Sequence, residues 1–469
     1  MASSIDGNSL AQAFISAREL DASQGEQLSA FATPAGAAAQ AAPPATNFIE
    51  KTLTRVDGQP ISNITHMEFG PDGLLYASSL TGTIYAYNIQ KTSAGNYLAT
   101  VVHQIDLLSQ IPNHNDDGTL VPQVQGRYVL GFDVVGTASD PIIYVTSNDP
   151  RIDTIADSNS GILSMLRMDA NQDWQKIDLV RGLTRSQHDH LLNGVEYFID
   201  KNGAPALLVS VGGHTNAGAP SAPLGYLPEY VLSGAVLKVD LNAITAMTVK
   251  TDSYGQKYYF NLPTLDDPTR PGVNEGVDAS VEIFGGHGGL NQAKYDPNGP
   301  VTFYATGLRN ATEILETQNG NFLTFDNGGN PSWGNTVVIR TDQNGNQIAT
   351  NLPEQGGSIT TNQDQLHLIL PGAYLGHPNP FRASGSAAGL YVQDGSGTPL
   401  PQLPSDFASV IPQSLENFRE AFFLAEGTQD GALALSSKST TGWRNTPFPE
   451  PSAARSPATS SRSGTARRA

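Results

Sequence analysis

The sequence predicts an all-β fold of the β-propeller type, and three observations carry that expectation. Glycine (47) and proline (31) are spread through the 469 residues and make up about a sixth of them. That suits many short strands joined by turns and argues against long helices. From residue 48 onward the text repeats one sentence: a β-rich run, a turn, another β-rich run. Within these runs apolar and polar residues alternate, as half-buried strands require. The length also exceeds the roughly 300 residues at which single cores stop growing. Several domains, or one ring assembled from small repeated sheets, would satisfy it. Loose repeats with variable insertions favour the ring; a jelly roll or sandwich is the alternative.

The elements follow in order. Residues 1–47 read as an N-terminal appendage, with one amphipathic helix over 8–31 and then the small-residue linker AFATPAGAAAQAAPPAT. The propeller is expected over 48–442. Its first unit, 64–89, has two strands around the turn Gly70-Pro71-Asp72-Gly73 and a third after Thr81-Gly82. A second unit runs YVLGFDVVGTASDPIIYVTSND and GILSMLRMD, and a third HLLNGVEYFIDKNGAPALLVSVGG and GAVLKVDLN. The fourth runs VTFYATGLRNATEILETQNGNFLTFDNGG and TVVIRTDQNGN. YLGHPNPFR through AFFLAEGTQDGALALSSKS suggests a fifth. Residues 443–469 form a basic tail with five arginines and one glutamate, either disordered or out of frame.

Composition excludes several functions. With 44 acidic against 26 basic residues and a formal charge of −18, the surface repels phosphate backbones, so no nucleic acid is expected. The absence of cysteine removes disulfides, thiolate metal sites and a cysteine nucleophile. The start, MASSIDGNSL, lacks the basic and apolar regions of a signal peptide, and no apolar run is long enough to span a membrane. No P-loop, G-x-S-x-G, HExxH or strand-linked G-x-G-x-x-G occurs. Asp169 to Asp173 begins like an EF-hand loop but lacks its later glycine and glutamate.

Three loops could carry chemistry. In His188-Asp189-His190 a histidine beside a carboxylate suits a general base, because the carboxylate can orient the ring; a surface turn is the plainer reading. In Gly307-Leu308-Arg309-Asn310 an arginine without an acidic sequence neighbour could meet an anion or a developing oxyanion; an ordinary exposed arginine would look the same. Asp326-Asn327-Gly328-Gly329-Asn330-Pro331 is an oxygen-rich loop that could approach a hard cation, or an everyday turn.

Taken together, GRYVLGFDVV, HDHLLNGVEYF, LLVSVGGHTNAG, ATGLRNATEIL, FLTFDNGGNPSWG and GAYLGHPNP resemble the glucose/sorbosone dehydrogenase family of soluble quinoproteins, over about 48–442. The resemblance implies a six-bladed propeller, incomplete at its C-terminal end. It implies PQQ-dependent oxidation of an aldose or related polyol, with calcium under the cofactor. Carried over by position, His190 looks like the base and Asp189 its orienting carboxylate. Arg309 and Asn310 look like the cofactor clamp, loosely joined by Gln125. The carbonyls of Asn327, Gly328 and Gly329 look like the calcium loop. A sugar substrate, an external electron acceptor and a periplasmic or extracellular location come with this family. Two departures stand out: Gly194 follows His190 at four residues instead of three, after Asn193, and the family's late basic residues have no counterpart. A non-catalytic propeller binding a glycan or protein, and a lactonase-like metal-dependent hydrolase, are the other readings.

The tail carries an expectation of its own. After SSKSTTG the resemblance implies a strand beginning L-A-E-Y-T, which the codons CTG GCG GAA TAC ACC G would encode. Deleting the first C yields TGG CGG AAT ACA CCG, or W-R-N-T-P, the text from Trp443 to Pro447. The sequence thus predicts a one-base deletion, an unclosed ring and an exposed sheet edge, and hence a polypeptide that is poorly stable and inactive in this form even where its full-length parent is an enzyme. A native disordered basic tail is the alternative.

Overall fold

The computed structural model describes residues 50–384, less 94, 153–154, 266, 268–269, 271–282, 342–346 and 353–362. The expectations for 1–47, for the second half of the fifth unit and for the tail from Trp443 lie outside the described residues.

Four blades of a β-propeller are present. Blade I is the antiparallel meander Ile64–Phe69, Leu75–Ser79, Ile84–Lys91 and Tyr97–Ile105, with Leu53–Arg55 added in parallel on its outermost strand. Blade II comprises Phe132–Thr137, Asp140–Ser147, Gly161–Met168 and Trp174–Leu183, extended in parallel by Lys257–Asn261. Blade III comprises Leu192–Ile199, Pro205–Val211, Ala235–Asp240 and Val301–Thr306. Blade IV, among the described residues, has Ala311–Glu316, Phe322–Asp326 and Gln365–Ile369.

Three expectations about units are corrected. VTFYAT does not open the fourth unit; as Val301–Thr306 it is the outermost strand of blade III, reached after a long insertion. TVVIRTDQ contributes Val338–Thr341 to a separate two-stranded hairpin, and the third strand of blade IV is Gln365–Ile369. YLGHPNPFR does not begin a fifth blade: Ala373–Tyr374 pairs in parallel with Val301–Thr306, and Asn379 and Arg382 bond the backbone of residues 230–234. In the first two cases the alternating pattern identifies a strand but not its neighbour, because pairing depends on where the insertions loop out; YLGHPNPFR instead leaves its short strand at Tyr374 and runs into the helix Pro380–Ser384.

The sheets hold together through apolar layers between blades. Tyr76, Ile84, Phe132 and Ile143 fill the space between blades I and II, and Leu163, Val195, Leu207 and Val209 that between II and III. Phe198, Leu208, Ile314 and Phe322 fill that between III and IV. Full burial stabilises each such side chain by about 1.5–3 kcal/mol.

A polar repeat registers the innermost strands. Glu68 accepts from Val134 N, Asp133 Oδ2 from Tyr197 N at 2.6 Å and Glu196 Oε1 from Glu316 N at 3.2 Å. In each inner strand the carboxylate precedes the residue whose N–H reaches back to the previous blade. The triplets Met67-Glu68-Phe69, Phe132-Asp133-Val134 and Val195-Glu196-Tyr197 are therefore equivalent, and Leu315 ends the series in blade IV. The first and fourth inner strands also meet directly, His66 Nδ1 lying 2.8 Å from Glu313 Oε2 and His66 Nε2 3.7 Å from Glu68 Oε2. Burial opposes charge on His66, but hydrogen bonds to Glu313 and then Glu68 outweigh it and push the imidazole up to about 10.

The extra residue at Asn193 is a β-bulge. Pairing of Leu192–Ile199 with Pro205–Val211 shifts register between Leu192 and Val195, and Asn193 uses the slack to bond across blades. Its carbonyl accepts from Thr146 Oγ1 at 2.6 Å and its Nδ2 donates to Ala311 O at 2.8 Å. Close approach makes Gly131 obligatory here, since a Cβ would lie 2.6 Å from Gly194 Cα.

Candidate functional site

All inner strands run the same way. Hence the connections between blades and the loops between second and third strands emerge at one end of the ring. His188, Asp189 and His190 lie on the II-to-III connection, Arg309 and Asn310 on the III-to-IV connection, and residues 327–334 on the blade IV loop.

His190 is 1% exposed. Its Nδ1 lies 2.8 Å from Gly213 O; a carbonyl only accepts, so Nδ1 carries the proton and Nε2 is left with its lone pair. Burial first, then the Arg309 charge, push the imidazole down to about 3, so it is neutral. The orienting role expected of Asp189 is therefore corrected. The group behind Nδ1 is the Gly213 carbonyl, while Asp189 Oδ1 bonds His188 Nδ1 at 2.8 Å and stands 3.9 Å from His190 Nε2. A half-exposed carboxylate is better satisfied by the partly exposed His188 than by a fully buried neutral ring.

Arg309 is 5% exposed, and its Nε and Nη2 donate to Asn216 Oδ1 at 3.2 and 2.9 Å. Its backbone N–H and that of Asn310 both donate to Asp326, at 2.9 and 2.7 Å, so this carboxylate builds the turn. Burial lowers the Arg309 value against the pull of Asp326, Asp189 and Asp364, and the guanidinium keeps its charge. Asn310 is less available as a clamp, because its Oδ1 accepts from Asn193 Nδ2 at 2.8 Å. Gln125 makes no hydrogen bond to Arg309 or Asn310 among the described residues. It is exposed on the turn feeding blade II, and the buried anchor there is Arg127, whose Nη1 donates to Asn113 Oδ1 at 2.8 Å.

The loop after Asp326 does border Arg309. Asn327 O lies 3.5 Å from Arg309 Nη1, Gly328 N donates to Asp364 Oδ1 at 2.8 Å, and Asn330 N donates to Asn216 Oδ1 at 2.9 Å. Sequence reasoning missed Asn216, Glu229 and His377. Asn216 joins the arginine to this loop. Glu229, wholly buried, accepts from the backbone of His214 and Thr215 and from His377 Nε2 at 2.9 Å. Asn216 stands in GGHTNAG and His377 in LGHPNP, both already noted as motifs. Glu229, in an insertion, carries no sequence signal.

No protein-family model matches the chain, and no curated protein does. Among solved structures, it is similar to PQQ-bound aldose sugar dehydrogenase from Streptomyces coelicolor. The identity is 15%, over 78% of this chain and 74% of that one, with a TM-score of 0.34. The PQQ domain of pyranose dehydrogenase from Coprinopsis cinerea shows 13% identity over 73% of this chain and 59% of that one, TM-score 0.32. A family AA12 carbohydrate-active enzyme of Trichoderma reesei shows 13% over 71% and 62%, TM-score 0.33. The solved structures it resembles include PQQ-dependent sugar dehydrogenases. The chain spans less than two thirds of the last two.

The donor set can be tested against the implied groups. A quinone oxygen would find a buried cation in Arg309 beside the unprotonated His190 Nε2, and the fit at that end is good. Of the oxygens a hard cation would need, Asp364 Oδ1 already accepts from Gly328 N, and the Asn327 carbonyl faces the guanidinium. Among the described residues no group of three or more His, Cys, Asp or Glu is arranged to hold a metal, so such a site would rest largely on backbone oxygens.

Proposed function

We propose that this chain is a PQQ-dependent dehydrogenase oxidising an aldose or related polyol, with His190 as general base. One observation supports it above the others: a wholly buried histidine, held neutral and in a single tautomer, next to a buried arginine. A base must be unprotonated and aimed when the substrate arrives, and this ring meets both conditions at neutral pH. Arg309, fixed by Asn216 and Asp326, would hold the cofactor's quinone oxygen, with Asn310 supporting the turn. When bound, the cofactor supplies the acceptor for the hydride leaving the sugar carbon. His190 Nε2 takes the hydroxyl proton of that same carbon, so that a carbonyl product forms and the charge on the imidazolium faces Asp189 at 3.9 Å. In this reading the four described blades belong to a six-bladed ring that works in the periplasm or outside the cell and passes electrons to an external acceptor. Among the described residues no helix is long and apolar enough to cross a membrane.

The test is reconstitution with PQQ, with and without calcium, followed by dye reduction against a panel of aldoses. Sugar-dependent reduction that His190→Ala abolishes is expected. PQQ binding with no turnover of any sugar, or turnover unchanged in His190→Ala, would refute the proposal and favour a binding propeller.

A further inference from the structure

Glu229 stands at the centre of a buried hydrogen-bond network. It is 0% exposed. Oε1 accepts from Thr215 N at 3.0 Å, Thr215 Oγ1 at 2.7 Å and His377 Nε2 at 2.9 Å. Both of its oxygens lie 3.1 Å from His214 N, and Oε2 also accepts from Ser233 Oγ. Every donor reaching it comes from an element that frames one turn, Gly212 to Thr215.

That turn is where the proposed base is set. Gly213 O accepts the hydrogen bond of His190 Nδ1–H at 2.8 Å, and Gly213 N donates to Arg309 O at 2.6 Å. The packing leaves no slack: a Cβ on Gly213 would lie 3.0 Å from Arg309 O, 3.0 Å from His377 Nε2 and 3.1 Å from Glu229 Oε1. So the direction of the Gly213 carbonyl is fixed by the carboxylate behind it, and that carbonyl decides which imidazole nitrogen carries the proton.

We infer that Glu229 is the positioning residue for His190, acting through the Gly212–Thr215 turn with His377 as its buttress; this rests on the reading of His190 as the base. Charge supports the same assignment. Burial alone would push the Glu229 carboxyl up, but the His377 hydrogen bond and charge hold it well below the usual carboxylate range. The resulting negative charge also favours the charged form of Arg309. An amide at this position would turn a donor toward the N–H and O–H groups that converge there. The turn would lose part of its anchoring although the side chain keeps its size.

The test uses full-length protein labelled with 15N in the histidine imidazoles, with His190 assigned by loss of its signals in His190→Gln. Wild type is expected to show the Nδ1–H tautomer alone. Glu229→Gln is expected to show both tautomers and, where sugar oxidation is measurable, a kcat lower by about tenfold with KM little changed, as misplacement of a reacting group produces. Glu229→Asp, which keeps the charge, should recover part of the single-tautomer signal. If Glu229→Gln does not fold, Thr215→Val removes one donor and leaves the carboxylate, and mixed tautomers are again expected. A single Nδ1–H tautomer in the folded variant would overturn the inference, since a merely structural role would lower stability alone. The tautomer signal needs neither cofactor nor sugar, so it decides the role of Glu229 even if wild type oxidises nothing.

Discussion

Replacing His190 with glutamine should flatten the acid dependence of stability, by an amount the site itself sets. The folded imidazole stands at about 3 against an ordinary value of 6.5. Between those values the unfolded chain binds a proton that the folded chain refuses, so stability rises with pH through this window and falls on acidification. The full difference corresponds to about 5 kcal/mol at about 1.4 kcal/mol per pH unit. Moving from pH 7 to about pH 4.5 exposes about 3 kcal/mol of it. Glutamine does not titrate, and its amide can still donate to Gly213 O. Wild type should therefore lose about 3 kcal/mol more than His190→Gln over that interval, measured from urea unfolding at both pH values. Other histidines held low, such as His114 at about 4, act equally on both proteins and cancel. Equal losses in the two proteins would mean that His190 is not a buried neutral imidazole.

Three further outcomes follow from the packing and the polar network. Gly131→Ala should cost about 1–3 kcal/mol in urea titrations, because the added methyl meets Gly194 Cα at 2.6 Å and Asn193 O at 2.7 Å; a neutral result would contradict the close approach of blades II and III. Glu313→Gln should cost about 1 kcal/mol at pH 7, a figure discounted for the partial exposure of Glu313. Because His66 is raised to about 10, that contribution is full below 6.5 and disappears as pH rises through 10; the same cost at about pH 11 would exclude the ion pair. Asp326→Asn should cost about 1.5–3 kcal/mol and weaken PQQ binding together, since one amide oxygen cannot accept both the Arg309 and Asn310 N–H groups in the same geometry. Tight binding in that variant would detach the turn from the cofactor.

The strands were legible in the sequence because alternation is a local signal. LLYAS and TIYAYNI each appear as strands of blade I, and the turn at Gly70 to Gly73 joins the strands expected. Membership of a blade was less legible, as VTFYAT shows: its pattern is that of any half-buried strand, and its partner lies some 60 residues earlier across an insertion. Of the candidate site, His190 and Arg309 are legible as candidates because each stands in a short motif beside a strand end. The partner of His190 could not. It is a backbone carbonyl, which has no sequence signature, and the adjacent Asp189 drew the role by proximity in sequence. Asn310 and Asp326 are legible as polar residues, but not the bonds they make: Asn310 Oδ1 accepts from Asn193, and Asp326 accepts from the backbone N–H groups of Arg309 and Asn310. The repeated inner-strand carboxylates at Glu68, Asp133 and Glu196 were visible as letters, but their equivalence emerges only when the blades are aligned in space.

Whether His190 Nε2 removes a proton from a sugar hydroxyl can be read by chemical rescue. His190→Gly leaves a cavity beside the Gly213 carbonyl in which free imidazole can take up the Nδ1 hydrogen bond. After PQQ loading, sugar oxidation by this variant should fall by about 10²–10⁴-fold, the range supplied by a positioned base, with PQQ affinity little changed. Added imidazole should restore at least tenfold of the rate, in proportion to its unprotonated fraction. Oxidation by His190→Gly at the wild-type rate, or a lost rate that imidazole does not restore while PQQ remains bound, would contradict this role of His190.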